Sequence, residues 1–81
     1  MLIEDMDREI LIEHLTMAER HVADGERVLR HQRGVIRELR RDRHGESLIN
    51  AAERLLRSFE EMQNMHIADL ARLRKELAIP R

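Results

Sequence analysis

Apolar residues recur every three to four positions along almost the whole chain, and the recurrence is interrupted once, at Arg43-His44-Gly45-Glu46. That spacing is the helical period, so the chain is expected to form two long helices joined by one turn. In the first half, Leu11, Leu15, Ala18, Val22, Gly25, Leu29, Gln32, Ile36 and Leu39 alternate steps of four and three, a strict seam. His14, His21, Val28 and Val35 stand one residue ahead of every second seam position and widen the stripe on one side. In the second half the stripe reads Leu48, Ala52, Leu55, Phe59, Met62, His66 and Leu73, broadened by Ile49, Leu56, Gln63, Leu70 and Leu77. A face this wide is what a bundle of four helices buries, whereas a pair needs only the narrow seam. The fold expected is all-α, an antiparallel helical hairpin that dimerises into a four-helix bundle. Its helices would cover residues 5–44 and 47–78 of a single domain spanning 1–81, with an N-terminal arm at 1–4, a turn at 44–46 and a tail at 79–81.

Composition points the same way. A chain of 81 residues is below the size at which one core is comfortably self-sufficient. Charged residues make up 38%, aromatics 1%, Phe59 is the single Phe, Tyr or Trp, and there is one proline, which argues against a sandwich or barrel. With no cysteine, disulfides and thiolate metal sites are excluded. Acidic residues follow directly on Met1-Leu2-Ile3, and no apolar run approaches the ~20 residues of a membrane span, so a cytoplasmic protein without a membrane partner is expected.

The helix ends carry their own signals. Asp5 is suited to cap the first helix, with Asp7 and Glu9 against the positive end of its dipole. Gly45 is placed to take the left-handed conformation that stops it, Ser47 to cap the second helix, and Pro80 to end the chain's helical part. Gly25 lies in the seam, where glycine costs roughly 1 kcal/mol of helix propensity, so it should make room for a large neighbour such as Phe59, Met62 or Met65. At 1.5 Å per residue the first helix would be roughly 60 Å long and the second roughly 45 Å, so that Leu2, Ile3, Met6 and Ile10 overhang the hairpin as a partner surface.

Charge is laid out in blocks although the net is −1. Residues 1–25 carry seven acids and two bases, and residues 26–43 carry seven arginines and three acids. Arg30, Arg33, Arg37 and Arg40 form a basic ridge that would follow phosphates in a nucleic-acid-binding hairpin dimer. Against that reading stand the absence of stacking aromatics, the interruptions at Glu38 and Asp42, and a sequence pI of about 6.5.

His21 and His66 fall nearly opposite each other in the hairpin, with His14 two turns away, so these three are the candidate ligands for a borderline metal in a dimer. No Glu-x-x-His or His-Glu-x-x-His pattern accompanies them, and hydrogen-bonded histidines account for the same residues, so neither a metal nor another cofactor is expected. Ser47, Ser58 and Thr16 have no positioned base beside them, and there is no glycine-rich phosphate loop; catalytic residues are not expected, nor an enzyme.

The stretch Ala18-Glu19-Arg20-His21-Val22-Ala23-Asp24-Gly25-Glu26, then Arg30-His31-Gln32-Arg33, and later Phe59-Glu60-Glu61-Met62-Gln63 and His66-Ile67-Ala68-Asp69, resembles a group of short, uncharacterised, mainly alphaproteobacterial proteins. The resemblance covers about residues 15 to 77 and implies a soluble two-helix protein, with no activity or substrate to carry over. The group's Gly-His-Asp-Thr-like turn is replaced here by Arg43-His44-Gly45-Glu46. The function expected is a small non-enzymatic, self-associating protein that acts as an interaction or regulatory adaptor. Its expected partners are a second copy of itself and, as an adaptor, another protein, and the alternative is nucleic-acid binding through the arginine ridge.

Overall fold

The computed structural model describes residues 3–79, with side chains from Asp7 onward. It consists of two helices, α1 (Ile3–Arg41) and α2 (Glu46–Ala78), that pack against each other along a rod of 62 × 15 × 14 Å. Neither helix is long and apolar enough to cross a membrane.

The seam of α1 is the one its spacing predicts. Ala18, Leu29, Gln32 and Ile36 are buried, and Leu11, Leu15, Val22, Gly25 and Leu39 are half-buried. On α2 the structure selects one row out of the broad stripe: Ile49, Ala52, Leu56, Phe59, Gln63, His66, Leu70, Leu73 and Leu77. Leu48, Leu55 and Met62, expected in that stripe, stand outside the hairpin's own core and are about half exposed. The two rows of α2 have equivalent spacing, so the choice belongs to the fit against α1, whose strict seam accepts only one of them.

The ends of the helices depart from the expected bounds. α1 already includes Asp5, so that residue is not its cap, and it stops at Arg41 instead of running to His44. The stop is a Schellman closure: His44 N–H donates to Leu39 O at 3.0 Å and Arg43 N–H to Arg40 O at 3.2 Å. This geometry puts Arg43, not Gly45, in the left-handed region, at φ 57°. Gly45 is extended (φ −64°, ψ 152°) and is the residue that caps α2, without a side-chain bond. Ser47 lies inside α2, so it is not the cap. Two hydrogen bonds close the last turn of α1 wherever the seam ends, and the residue two past that turn must go left-handed whether or not it is glycine. At its far end α2 finishes at Ala78, as expected, and Arg8 of α1 donates to Leu77 O there at 3.4 Å. Helix α1 continues unbroken through Gly34, where a β-carbon would meet the Arg37 guanidinium at 3.6 Å, an ordinary contact.

The core made by two helices alone is thin. Among the described residues the buried apolar side chains are Ala18, Leu29, Ile36, Ala52, Leu70 and Leu73, two of them alanines. The accessible surface, 6487 Å², is roughly a quarter larger than the ~5,100 Å² expected for a compact chain of this mass. Leu48, Leu55, Met62 and Met65 are among the large apolar side chains left exposed on that surface.

The left-handed Arg43 offers a test of the turn. A side chain in that conformation costs about 1 kcal/mol relative to glycine. Arg43→Gly should raise stability by about that amount in urea unfolding at fixed chain concentration. An unchanged or lowered midpoint would contradict the assigned turn.

Candidate functional site

Two amide side chains sit in the seam and cross it in opposite directions. Gln32 of α1, 6% exposed, donates through Nε2 to Ala52 O at 2.9 Å. Gln63 of α2, 3% exposed, donates through Nε2 to Val22 O at 2.9 Å, with Glu26 Oε1 at 3.5 Å. In each case the bond is made to a helical carbonyl, whose second lone pair is free while the first accepts the helix bond. The seam residue near each amide is small, Ala52 for Gln32 and Gly25 for Gln63. A β-carbon built on Gly25 would lie 1.8 Å from Gln63 Oε1, so the glutamine occupies the space of the missing side chain. The large neighbour for which Gly25 makes room is thus Gln63 and not Phe59, Met62 or Met65. Gln63 Oε1 is buried without a hydrogen-bond partner, facing the α-carbon of that glycine.

The two flanks of the seam are chemically unlike. On one flank α1 presents Glu19, Glu26, Arg33 and Arg40, and α2 presents Glu53, Glu60, Ile67 and Arg74. Here Arg40 bonds Glu53, Arg33 lies 3.6 Å from Glu60, and Glu19 lies 3.8 Å from Arg74. The sign reverses along both helices together, so an antiparallel pair in this register matches every cross-helix ion pair. Each pair is solvent-exposed and worth only a few tenths of a kcal/mol, so their effect is on alignment more than on stability. The basic ridge is divided by the same geometry. Arg33 and Arg40 are turned to carboxylates of α2, whereas no ion pair engages Arg30 or Arg37 among the described residues.

On the opposite flank α1 presents His14, His21, Val28 and Val35, and α2 presents Leu48, Leu55, Met62 and Asp69. Ile10 and Met17 of α1 and Met65 of α2 border this flank. Among the described residues, Ile10, Met17, Val28, Leu48, Leu55, Met62 and Met65 make up seven of the ten exposed large apolar side chains, so this flank holds most of them. Of the overhang expected as a partner surface, Leu2 lies outside the described residues, as do the side chains of Ile3 and Met6. Ile10 belongs to this flank.

Midway along the flank is a cleft of about 180 Å³, floored by Gly25 and Gln63 and walled by Val28, Phe59 and Met62. His21 and His66 close one end, stacked with ring centroids 5.2 Å apart and planes inclined by 28°. The sequence placed these rings opposite each other, and the structure brings them together. His14 is not among the residues lining this cleft and instead lines a second, smaller depression with His21, Met17 and Asp69. Arg72 is bonded to Asp69 at 2.6 Å and to Glu76 at 2.8 Å, and the Asp69 bond first, then Glu76, pushes its pKa above the ordinary value. Among the described residues no group of three or more histidines and carboxylates is arranged to hold a metal ion.

Spacing alone did not reveal the glutamine crossings. The usable signal is a glutamine inside a strict apolar seam, since an amide buried there must find a backbone partner. Comparison with protein-family models, curated proteins and solved structures found no match to this chain.

The crossing at Gly25 is open to a double-mutant cycle. In a chain already carrying Gln63→Ala, Gly25→Ala should stabilise by about 1 kcal/mol, the ordinary helix-propensity gain. With Gln63 present the same change expels the amide from Val22 O, and the gain should vanish or reverse, a coupling of about 1–2 kcal/mol. Additive effects in thermal or urea unfolding would show that the two residues do not interact.

Proposed function

We propose that this chain is a non-enzymatic, self-associating interaction module, in which two hairpins join through their apolar flanks into a four-helix bundle that serves as an adaptor for other proteins in the cytoplasm. The observation that carries the reading is the inequality of the flanks. One is lined by cross-helix ion pairs, and the other leaves Val28, Leu48, Leu55 and Met62 in solvent beside a core of six small and medium residues. Exposed apolar surface of this extent on a chain with so little core is what a partner covers. Likeness to short two-helix bacterial proteins belongs to the same reading. Nothing in the arrangement of Ser47, Ser58 or Thr16 supports catalysis: Thr16 and Ser58 donate to the carbonyls of Ile12 and Arg54, their own preceding turns.

The nucleic-acid reading loses support from the pairing of Arg33 and Arg40 with Glu60 and Glu53, because phosphates would compete with carboxylates already in place. Arg30 and Arg37 remain, a smaller basic surface than the sequence ridge.

Two measurements bear on these readings. Sedimentation equilibrium at micromolar concentration should return about twice the 9.7 kDa chain mass. Leu55→Glu together with Val28→Glu should abolish the dimer. A fully helical species at the single-chain mass would refute self-association. Retention on DNA or RNA at about 50 mM salt, lost on changing Arg30 and Arg37 to Ala, would favour the nucleic-acid reading instead.

A further inference from the structure

We propose that the occupant of the apolar flank is a second copy of this chain lying antiparallel, with the two-fold axis passing through the cleft above Gly25, so that each α1 stacks on the other α1 and each α2 on the other α2. The proposal rests on the self-association argued above and adds its geometry. Three observations lead to it.

The first is where the apolar residues stand. Leu48 and Leu55 lie toward the turn, Met17 and Ile10 toward the open end, and Met62 close to the midpoint of α2. An axis at the midpoint overlaps the two flanks over their full length, with the turn end of each helix against the open end of the same helix in the other copy. The rod is 62 Å long, and its accessible surface exceeds that expected of a compact chain of this mass by roughly 1,400 Å², more than the ~800 Å² that each partner contributes to a standard-size interface.

Charge supplies the second. The turn half of the rod, residues 26–62, carries nine bases and seven acids; the open half, residues 1–25 and 63–81, carries six bases and nine acids. An antiparallel pair sets each basic half on an acidic one, and a parallel pair sets like on like. Because α1 stacks on α1, the acid-rich first half of α1, with seven acids in residues 1–25, comes level with the arginine-rich second half of the other copy, with seven arginines in residues 26–43, and the attraction acts between halves. Long-range attraction of this kind selects orientation more than it adds affinity.

The third is the cleft itself. It lies at the rod's midpoint, is open on the flank, and has Met62 on its rim, 55% exposed, with Met65 beyond it at 72%, the most exposed large apolar side chain among the described residues. With the axis at Met62, residue 65 of one α2 comes level with residue 59 of the other, so each Met65 is carried to the Phe59 wall of the opposite cleft. A thioether against an aromatic edge is a favourable contact, and methionine adapts to a cleft of irregular shape.

The chain has no cysteine, so single cysteines report the geometry directly. Met62→Cys should be linked to itself in high yield by a short bismaleimide. Leu48 stands roughly 21 Å from Met62 along α2, so two copies of Leu48→Cys are about 40 Å apart and should not be linked. Leu48→Cys mixed with Glu76→Cys should give the heterodimeric link, since those positions come level across the axis. Self-linking of Leu48→Cys would overturn the antiparallel arrangement. A dimer by sedimentation in which neither Met62→Cys nor the mixed pair links would overturn the choice of flank while leaving self-association intact. A monomer by sedimentation would overturn both.

Discussion

The amide of Gln63 reaches the backbone of α1 because residue 25 has no side chain, and the register of the whole hairpin follows from that contact. A buried amide without a partner costs about 1–3 kcal/mol, so any sliding of one helix along the other that separates Gln63 from Val22 O, or Gln32 from Ala52 O, is penalised twice. Apolar packing in a seam of leucines and alanines is tolerant of such sliding, since one heptad looks much like the next. The two glutamines are not interchangeable with their neighbours, and they point in opposite directions across the seam. Polar groups at single seam positions are known to select alignment at some expense of stability, and the unpartnered Oε1 of Gln63 is such an expense here.

Once the register is set, the flanks are determined. Arg40 meets Glu53, Arg33 meets Glu60, and Glu19 meets Arg74, because these positions come level only when Gly25 faces Gln63. The opposite flank receives Val28, Val35, Leu48, Leu55 and Met62 for the same reason. The uncovered apolar surface and the charged surface on the other side of the seam are thus two outcomes of one alignment. The fold and its uncovered apolar surface are physically coupled through the seam, although most of the residues on the flank take no part in the hairpin's own core.

Much of this was readable in the order of the residues. The seam of α1, the number of helices, the end of α2 at Ala78 and the meeting of His21 with His66 follow from a period of 3.6 and one interruption. The identity of the left-handed residue did not follow. Glycine in the turn suggested Gly45, but the closing bonds count from the last seam residue of α1, and that count falls on Arg43. The pairing within the basic ridge was likewise hidden, because a list of arginines does not say which of them lies level with a carboxylate on the other helix.

What the sequence by itself determined is the pair of amphipathic helices and the excess of apolar positions over what two helices can bury, because periodicity and composition are local properties of the chain. Which row of α2 enters the seam, which residue Gly25 accommodates, and which flank is left bare are decided only in the folded hairpin. They depend on distances between residues some forty positions apart, such as Gly25 and Gln63, and a glycine and a glutamine acquire their complementarity only when the backbone brings them face to face.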